Sequence, residues 1–154
     1  MADPDLKDIE ADDLGRRLRG MGINLLCPDP IRYAPELARI MALELIRLDA
    51  FFALLSWASP PQTNTLIQIH SDKSYASNPY HACLGEGQMR GVGVELRLFD
   101  VNPDDAAKRA EAEDGWQVLQ PPGDKEHGVR EAFILDPMGY CWVPSVPLPA
   151  GKIA

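Results

Sequence analysis

The chain has 154 residues, 45% hydrophobic and 25% charged, with 15 Lys and Arg against 23 Asp and Glu for a net charge of −8. That is the size of one globular domain with a core of its own. The acidic balance argues against nucleic acid or an anionic membrane as partner, since both require clustered Lys and Arg.

The first residues, Met-Ala-Asp-Pro-Asp-Leu-Lys-Asp, lack the apolar core of a signal peptide. Residues 1–19 form an appendage in which Leu6, Ile9, Leu14 and Leu18 fall at helical spacing. This predicts an amphipathic helix lying on a sheet or on a partner subunit. A module spanning 20–70 follows. Its first strand, Gly22-Ile-Asn-Leu-Leu-Cys, closes at Asp29, and a helix is expected over 31–41 with further strands over 43–49, 51–57 and 65–70. The longest apolar run, 50–58, is broken by Ser56 and is too short to span a bilayer. Residues 71–90 are polar, carry Gly and Pro, and read as a connection.

A second module is expected over 91–146. Gly93-Val-Glu-Leu-Arg-Leu-Phe leads to Asp100, Asn102 caps a helix with Pro103 at its first position, and Gly115 ends that helix after residue 113. Strands follow over 116–119, 130–135 and 140–145, then an irregular tail over 147–154. Laying Gly22…Asp29 over Gly93…Asp100, 71 residues apart, makes the halves two copies of one βαβββ unit. The predicted class is α+β, with two such modules curling into one cup-like mixed sheet.

The last pair of strands carries the strongest local signal. Alternation places Glu131, Phe133 and Leu135 on one face and Ala132 and Ile134 on the other, ahead of the turn Asp136-Pro-Met-Gly139. The wording G-x-R-E-x-x-x-x-D-P-x-G-Y resembles the closing hairpin of the vicinal-oxygen-chelate superfamily: glyoxalases, ring-cleaving dioxygenases and bleomycin-resistance proteins. In that superfamily two βαβββ modules form a cup with a ligand pocket, and metal-dependent members place four ligands on its concave face. The resemblance maps those positions to Gly22, Gln68, Gly93 and Val143. Glycine and valine have no side-chain lone pair to offer a divalent ion. The resemblance therefore implies a metal-free protein with no cofactor, nearest to the bleomycin-resistance branch, which is acidic and sequesters its drug at a homodimer interface. His127 stands where that branch usually has tryptophan.

Nothing else in the sequence names a chemistry. No zinc, nucleophile-elbow or phosphate-loop pattern occurs, and Gly85-Glu-Gly-Gln-Met-Arg-Gly91 lies in the connection, where it reads as a flexible loop. His70, His81 and His127 read as strand-end and loop histidines. Cys27, Cys83 and Cys141 make neither a disulfide framework nor a zinc motif, so a reducing cytoplasm is the expected setting. Alternation selects Asn24, Gln68, His70, Glu95, Arg97, Phe133 and Cys141 as candidate ligand contacts. Cys141 reads equally as an inert buried thiol, and Glu95 with Arg97 as an internal ion pair. Trp142 and Tyr140 take the opposite parity. The expected function is sequestration of a small organic molecule, an antibiotic or aromatic metabolite, by a homodimer. The alternative is a lyase or oxidoreductase-type enzyme of the same superfamily acting on a small carbonyl or aromatic substrate.

Overall fold

The computed structural model describes residues 6, 10–18, 20–57 and 65–151. They form two compact units, one containing residues up to Arg39 with Leu43–Cys83 and the other Ile40–Ala42 with Leu84 onward. The first carries α1 (Ala11–Arg17), β1 (Gly22–Cys27), α2 (Pro30–Met41), β2 (Glu44–Leu48), β3 (Phe52–Ser56) and β4 (Leu66–Ser71). Its sheet has the order β1-β4-β3-β2, with β1 parallel to β4 and the other pairs antiparallel. Short 3-10 turns, Asp72–Tyr75 and Pro79–Cys83, occupy the connection.

The second unit repeats the pattern with β5 (Glu95–Phe99), α3 (Pro103–Glu111), β6 (Gln117–Asp124), β7 (Val129–Leu135) and β8 (Cys141–Pro147). Its order is β5-β8-β7-β6, again with the first and last strands parallel. Both units are βαβββ modules and the fold is α+β, as the sequence predicts.

The two copies are offset by 73 residues, not 71. β1 and β5 begin at Gly22 and Glu95, and α2 and α3 begin at Pro30 and Pro103. The cause is helix capping. The Asp29 carboxylate accepts from Ile31 N at 3.1 Å, and the Asn102 side chain accepts from Asp104 N and Asp105 N at 2.9 and 3.2 Å. A cap followed by proline at the first helical position is the shared element. Asp100, which the sequence aligned with Asp29, instead adopts a left-handed φ of 61° in the turn after β5. Gly93 lies before the strand, with φ 85°.

Two other boundaries differ from expectation. α3 ends at Glu111 rather than 113, where Glu113 N closes a turn on Ala110 O. β6 runs to Asp124, five residues beyond the predicted end, through Pro121 and Pro122. It is the edge strand of its sheet and its pairing with β7 is interrupted, so prolines are tolerated where no ladder donor is needed.

The predicted hairpin at Asp136 is held by its first residue. The Asp136 carboxylate is 2% exposed. It accepts from the backbone N–H of Met138 at 2.9 Å and Tyr140 at 3.0 Å, and from the Trp142 indole at 2.8 Å. Gly139 has φ 89°, and a Cβ there would lie 2.8 Å from Met89 Cβ. Trp142 is fully buried beside Leu96 and Ile134. Arg130, on the same face of β7 as Ile134, binds Asp104 of α3 through two nitrogens at 2.7 and 2.8 Å. That is the helix-covered face, as the parity of Trp142 predicts.

Replacing Asp136 by Ala strands two buried donors, Tyr140 N and the Trp142 indole, and the part-buried Met138 N. Equilibrium urea unfolding of Asp136→Ala is expected to show a loss of about 3 kcal/mol, with Asp136→Asn intermediate. A change within 0.5 kcal/mol would show that the hairpin does not depend on this carboxylate.

Candidate functional site

In the first unit, ladder register decides which side chains share a face. Gln68 lies between Asn24 and Leu54, and His70 lies between Leu26 and Phe52. Asn24, Gln68 and His70 are therefore on one face of the sheet, as alternation predicts. A register shift between Leu45 and Arg47 brings Arg47 opposite Leu54. α1 packs on this same face: Leu6 and Leu14 are buried with Ile46 and Leu54, and Leu18, Phe52 and Leu66 pack against them. Ile9 lies outside the described residues. Among the described residues the amphipathic segment is helical over Ala11–Arg17, and it lies on its own module's sheet.

Between α1 and the sheet is a cavity of about 310 Å³ lined by Gln68 and His70 together with Arg47, Asp49, Phe51 and Phe52. Leu14, Gly15 and Leu18 form the wall that α1 contributes, and Ser74 the wall from the turn after β4. The His70 ring stands edge-on to Phe52 with centroids 5.0 Å apart, and tilted against Tyr75 at 4.9 Å. Burial pushes the His70 pKa below its ordinary value, against a smaller opposing pull from Asp49. The imidazole is therefore neutral near pH 7, with one nitrogen donating and the other accepting. Asp49 holds its own loop by accepting from Phe51 N and Phe52 N at 2.8 and 2.9 Å. Asn24 is not in the cavity wall; its amide donates to the Tyr75 hydroxyl at 3.1 Å.

The second unit gathers the remaining candidates on the sheet face opposite α3. Glu95 pairs with Cys141, and Arg97 with Val143. Glu131, Phe133 and Leu135 have the same parity on β7. The Glu95–Arg97 pair that the sequence left open is formed, with Arg97 Nη1 donating to Glu95 Oε2 at 2.9 Å. It extends further, because Arg97 Nη2 also donates to Glu131, and His127 Nε2 stands 3.8 Å from the same carboxylate. The Glu131 side chain is only 5% exposed, so Arg97 is its main neutralising partner. The Cys141 thiol is pushed up by burial and then by Glu95 and Asp136, which makes it a poor nucleophile.

The residues present do not fit a divalent metal. Gly22 leaves its place to the Gln68 amide, whose nitrogen would lie 3.2 Å from a Cβ at Gly22. Val143 is fully buried and apolar. The 73-residue offset replaces Gly93 by Glu95 as the counterpart of Gly22, so a carboxylate occupies that position after all, but Arg97 already neutralises it. Among the described residues, no cluster of three or more His, Cys, Asp or Glu side chains could hold an ion.

Sequence reasoning missed Arg47, Asp49, Phe51, Phe52 and Gly15. The run Phe51-Phe-Ala-Leu-Leu55 is apolar throughout, so it shows no alternation from which a face could be read. Gly15 could have been found as the glycine within the amphipathic segment, where it weakens a helix.

No protein-family model matches the sequence, and no curated protein matches it. The fold, by contrast, is shared with solved structures. A glyoxalase/bleomycin resistance protein/dioxygenase family enzyme from Burkholderia phytofirmans PsJN aligns at TM-score 0.63 and 16% identity, over 82% of this chain and 97% of that one. A glyoxalase-related enzyme from Fulvimarina pelagi aligns at 0.63 and 14%, over 88% and 94%. A lactoylglutathione lyase from Agrobacterium tumefaciens aligns at 0.56 and 13%, over 83% and 92%. The two-module architecture is therefore that of glyoxalase, bleomycin-resistance and dioxygenase structures. Among the described residues no helix is long and apolar enough to cross a membrane.

Arg97 generates a test of the second unit. Arg97→Met leaves Glu131 buried without its main cation and is expected to cost about 2–3 kcal/mol, below the range for full burial because Arg97 is one-third exposed. Pairing it with Glu131→Leu should recover most of that loss in urea denaturation. Equal instability of the single and double variants would refute the pairing.

Proposed function

We propose that this chain is a small-molecule-binding member of the glyoxalase/bleomycin-resistance/dioxygenase superfamily, metal-free and without a cofactor, that holds an organic ligand in a pocket of its first module. The observation that carries this reading is the cavity of about 310 Å³ beside Gln68 and His70. Its size, with Arg47, Asp49, Gln68, His70 and Ser74 set among aromatic and aliphatic walls, suits a small-ligand site. A glycopeptide of the bleomycin kind is much larger than this cavity, which favours an aromatic metabolite or small antibiotic. Gln68 and His70 are the contacts proposed there, and Phe133, Glu95, Arg97 and Cys141 belong to the face of the other module. The reading also includes a homodimer in a reducing cytoplasm.

A second reading, a lyase or oxidoreductase-type enzyme acting on a small carbonyl or aromatic substrate, draws on one observation. His70 is neutral, half-buried and in the cavity wall, as a general base would be.

Thermal-shift screening of aromatic metabolites and small antibiotics, with product analysis in parallel, separates the two. A ligand that binds only the native state raises Tm by adding RT ln(1 + [L]/Kd) to stability. At a concentration about 100 times Kd the gain is about 2.7 kcal/mol. A shift without conversion supports sequestration, and conversion that disappears in His70→Gln supports the enzyme. Absence of any shift across the screen refutes both.

Purified untagged protein should contain far less than one equivalent of zinc, iron, nickel or manganese by elemental analysis. Light scattering on the same sample should give about twice the chain mass of 17.0 kDa. Stoichiometric metal would overturn the metal-free reading, and a mass near 17.0 kDa the dimer.

A further inference from the structure

Gly15 stands inside α1, where glycine weakens a helix relative to alanine. It lines the cavity, and a Cβ built on it meets no atom within 4 Å. Its neighbours Leu14 and Leu18 anchor α1 to the sheet. The helix is thus held on both sides of an exposed position that contributes no bulk and lines the cavity.

Across the cavity, most polar groups already have internal partners. Asp49 accepts from two backbone N–H groups, and the Ser74 hydroxyl donates to Ser71 O at 2.8 Å. Gln68 and His70 differ: neither side chain makes a hydrogen bond to any described residue. They sit two positions apart on one face of β4, about 7 Å along the strand. Each presents both a donor and an acceptor, since an amide always does and a neutral imidazole does. Phe51 and Phe52 supply the flat walls, and Arg47 and Asp49 bring one positive and one negative charge to the lining.

We infer that the cavity beneath α1 takes a one- or two-ring aromatic molecule with an uncharged donor–acceptor edge, such as a lactam or carboxamide. Gln68 and His70 read the edge, and Gly15 leaves room for the ring. The inference rests on the small-molecule-binding reading above and gives it a ligand class and a location.

Quinolin-2-one serves as the probe, with N-methylquinolin-2-one (no donor) and naphthalene (no polar edge) as comparisons, titrated calorimetrically into the full chain. The wild type should bind quinolin-2-one, N-methylquinolin-2-one about tenfold more weakly, the worth of one hydrogen bond, and naphthalene, which loses both, about a hundredfold more weakly. Gln68→Leu and His70→Leu should each lose about the same factor. Gly15→Phe should abolish binding while Tm is kept or raised, because the ring fills open space and glycine leaves the helix. Gly15→Leu gives the same reading should the phenylalanine variant misfold.

Equal binding of all three compounds, or no effect of Gln68→Leu and His70→Leu, overturns the recognition of a polar edge. Undiminished binding in folded Gly15→Phe and Gly15→Leu overturns the location under α1, while the small-molecule reading survives. No binding of quinolin-2-one overturns this ligand class. Only failure of the whole screen described above would remove the small-molecule reading with it.

Discussion

A βαβββ unit has a sheet with two faces and a single helix of its own. The helix covers one face, and an apolar second face left in water would cost the unit much of the burial that stabilises it. The rest of the structure is organised by that asymmetry. In the first unit the second face carries Ile46, Leu54, Phe52 and Leu66, and the N-terminal segment with α1 covers it through Leu6, Leu14 and Leu18. In the second unit the corresponding face carries Glu95, Arg97 and Glu131 in an internal ion-paired array. Duplicated topology has thus been given two chemically different surfaces.

The difference bears on function. A surface tied up in its own ion pairs presents little that a ligand could use without breaking them, and Arg97 is committed to keeping the buried Glu131 neutralised. The surface under α1 is the reverse. Its apolar residues are covered, and two hydrogen-bonding side chains on its interior strand β4, Gln68 and His70, lie beside an open volume. The closing hairpin, the feature that most resembles a known superfamily, does structural work instead. Arg130 ties β7 to α3, Glu131 pairs with Arg97, and the Asp136 carboxylate gathers two backbone donors and an indole. A motif can therefore identify a fold while leaving its chemistry open.

Much of the architecture was legible. Alternation located β1, β4, β5, β7 and β8 to within a few residues because each has one covered and one differently exposed face. The cap-proline pair Asn102-Pro103 marked the start of α3, while α2 begins at Pro30, one residue before the expected start. The copies were aligned two residues out because Asp29 was matched to Asp100 by residue type, whereas the helix starts pair Asp29 with Asn102 by the hydrogen bonds they accept. That slip put Gly93 where Glu95 belongs. Pro121 and Pro122 disguised the second half of β6, because proline forbids a central strand but not an edge strand.

By itself the sequence determined the α+β class, the order and approximate bounds of the elements, the hairpin at Asp136 and the amphipathic character of the N-terminal segment. These depend on local chemistry: period, capping and turn preference act over a few residues. Tertiary structure alone decided that α1 lies on the first sheet rather than elsewhere, that Phe52 and Arg47 share a face with His70, and that Arg97 reaches Glu131 across strands. An apolar run such as Phe51–Leu55 contains no record of its own facing. An amphipathic helix specifies that it needs a cover without specifying which one. Both are settled by register and packing between segments distant in sequence, and the candidate site is made of such contacts.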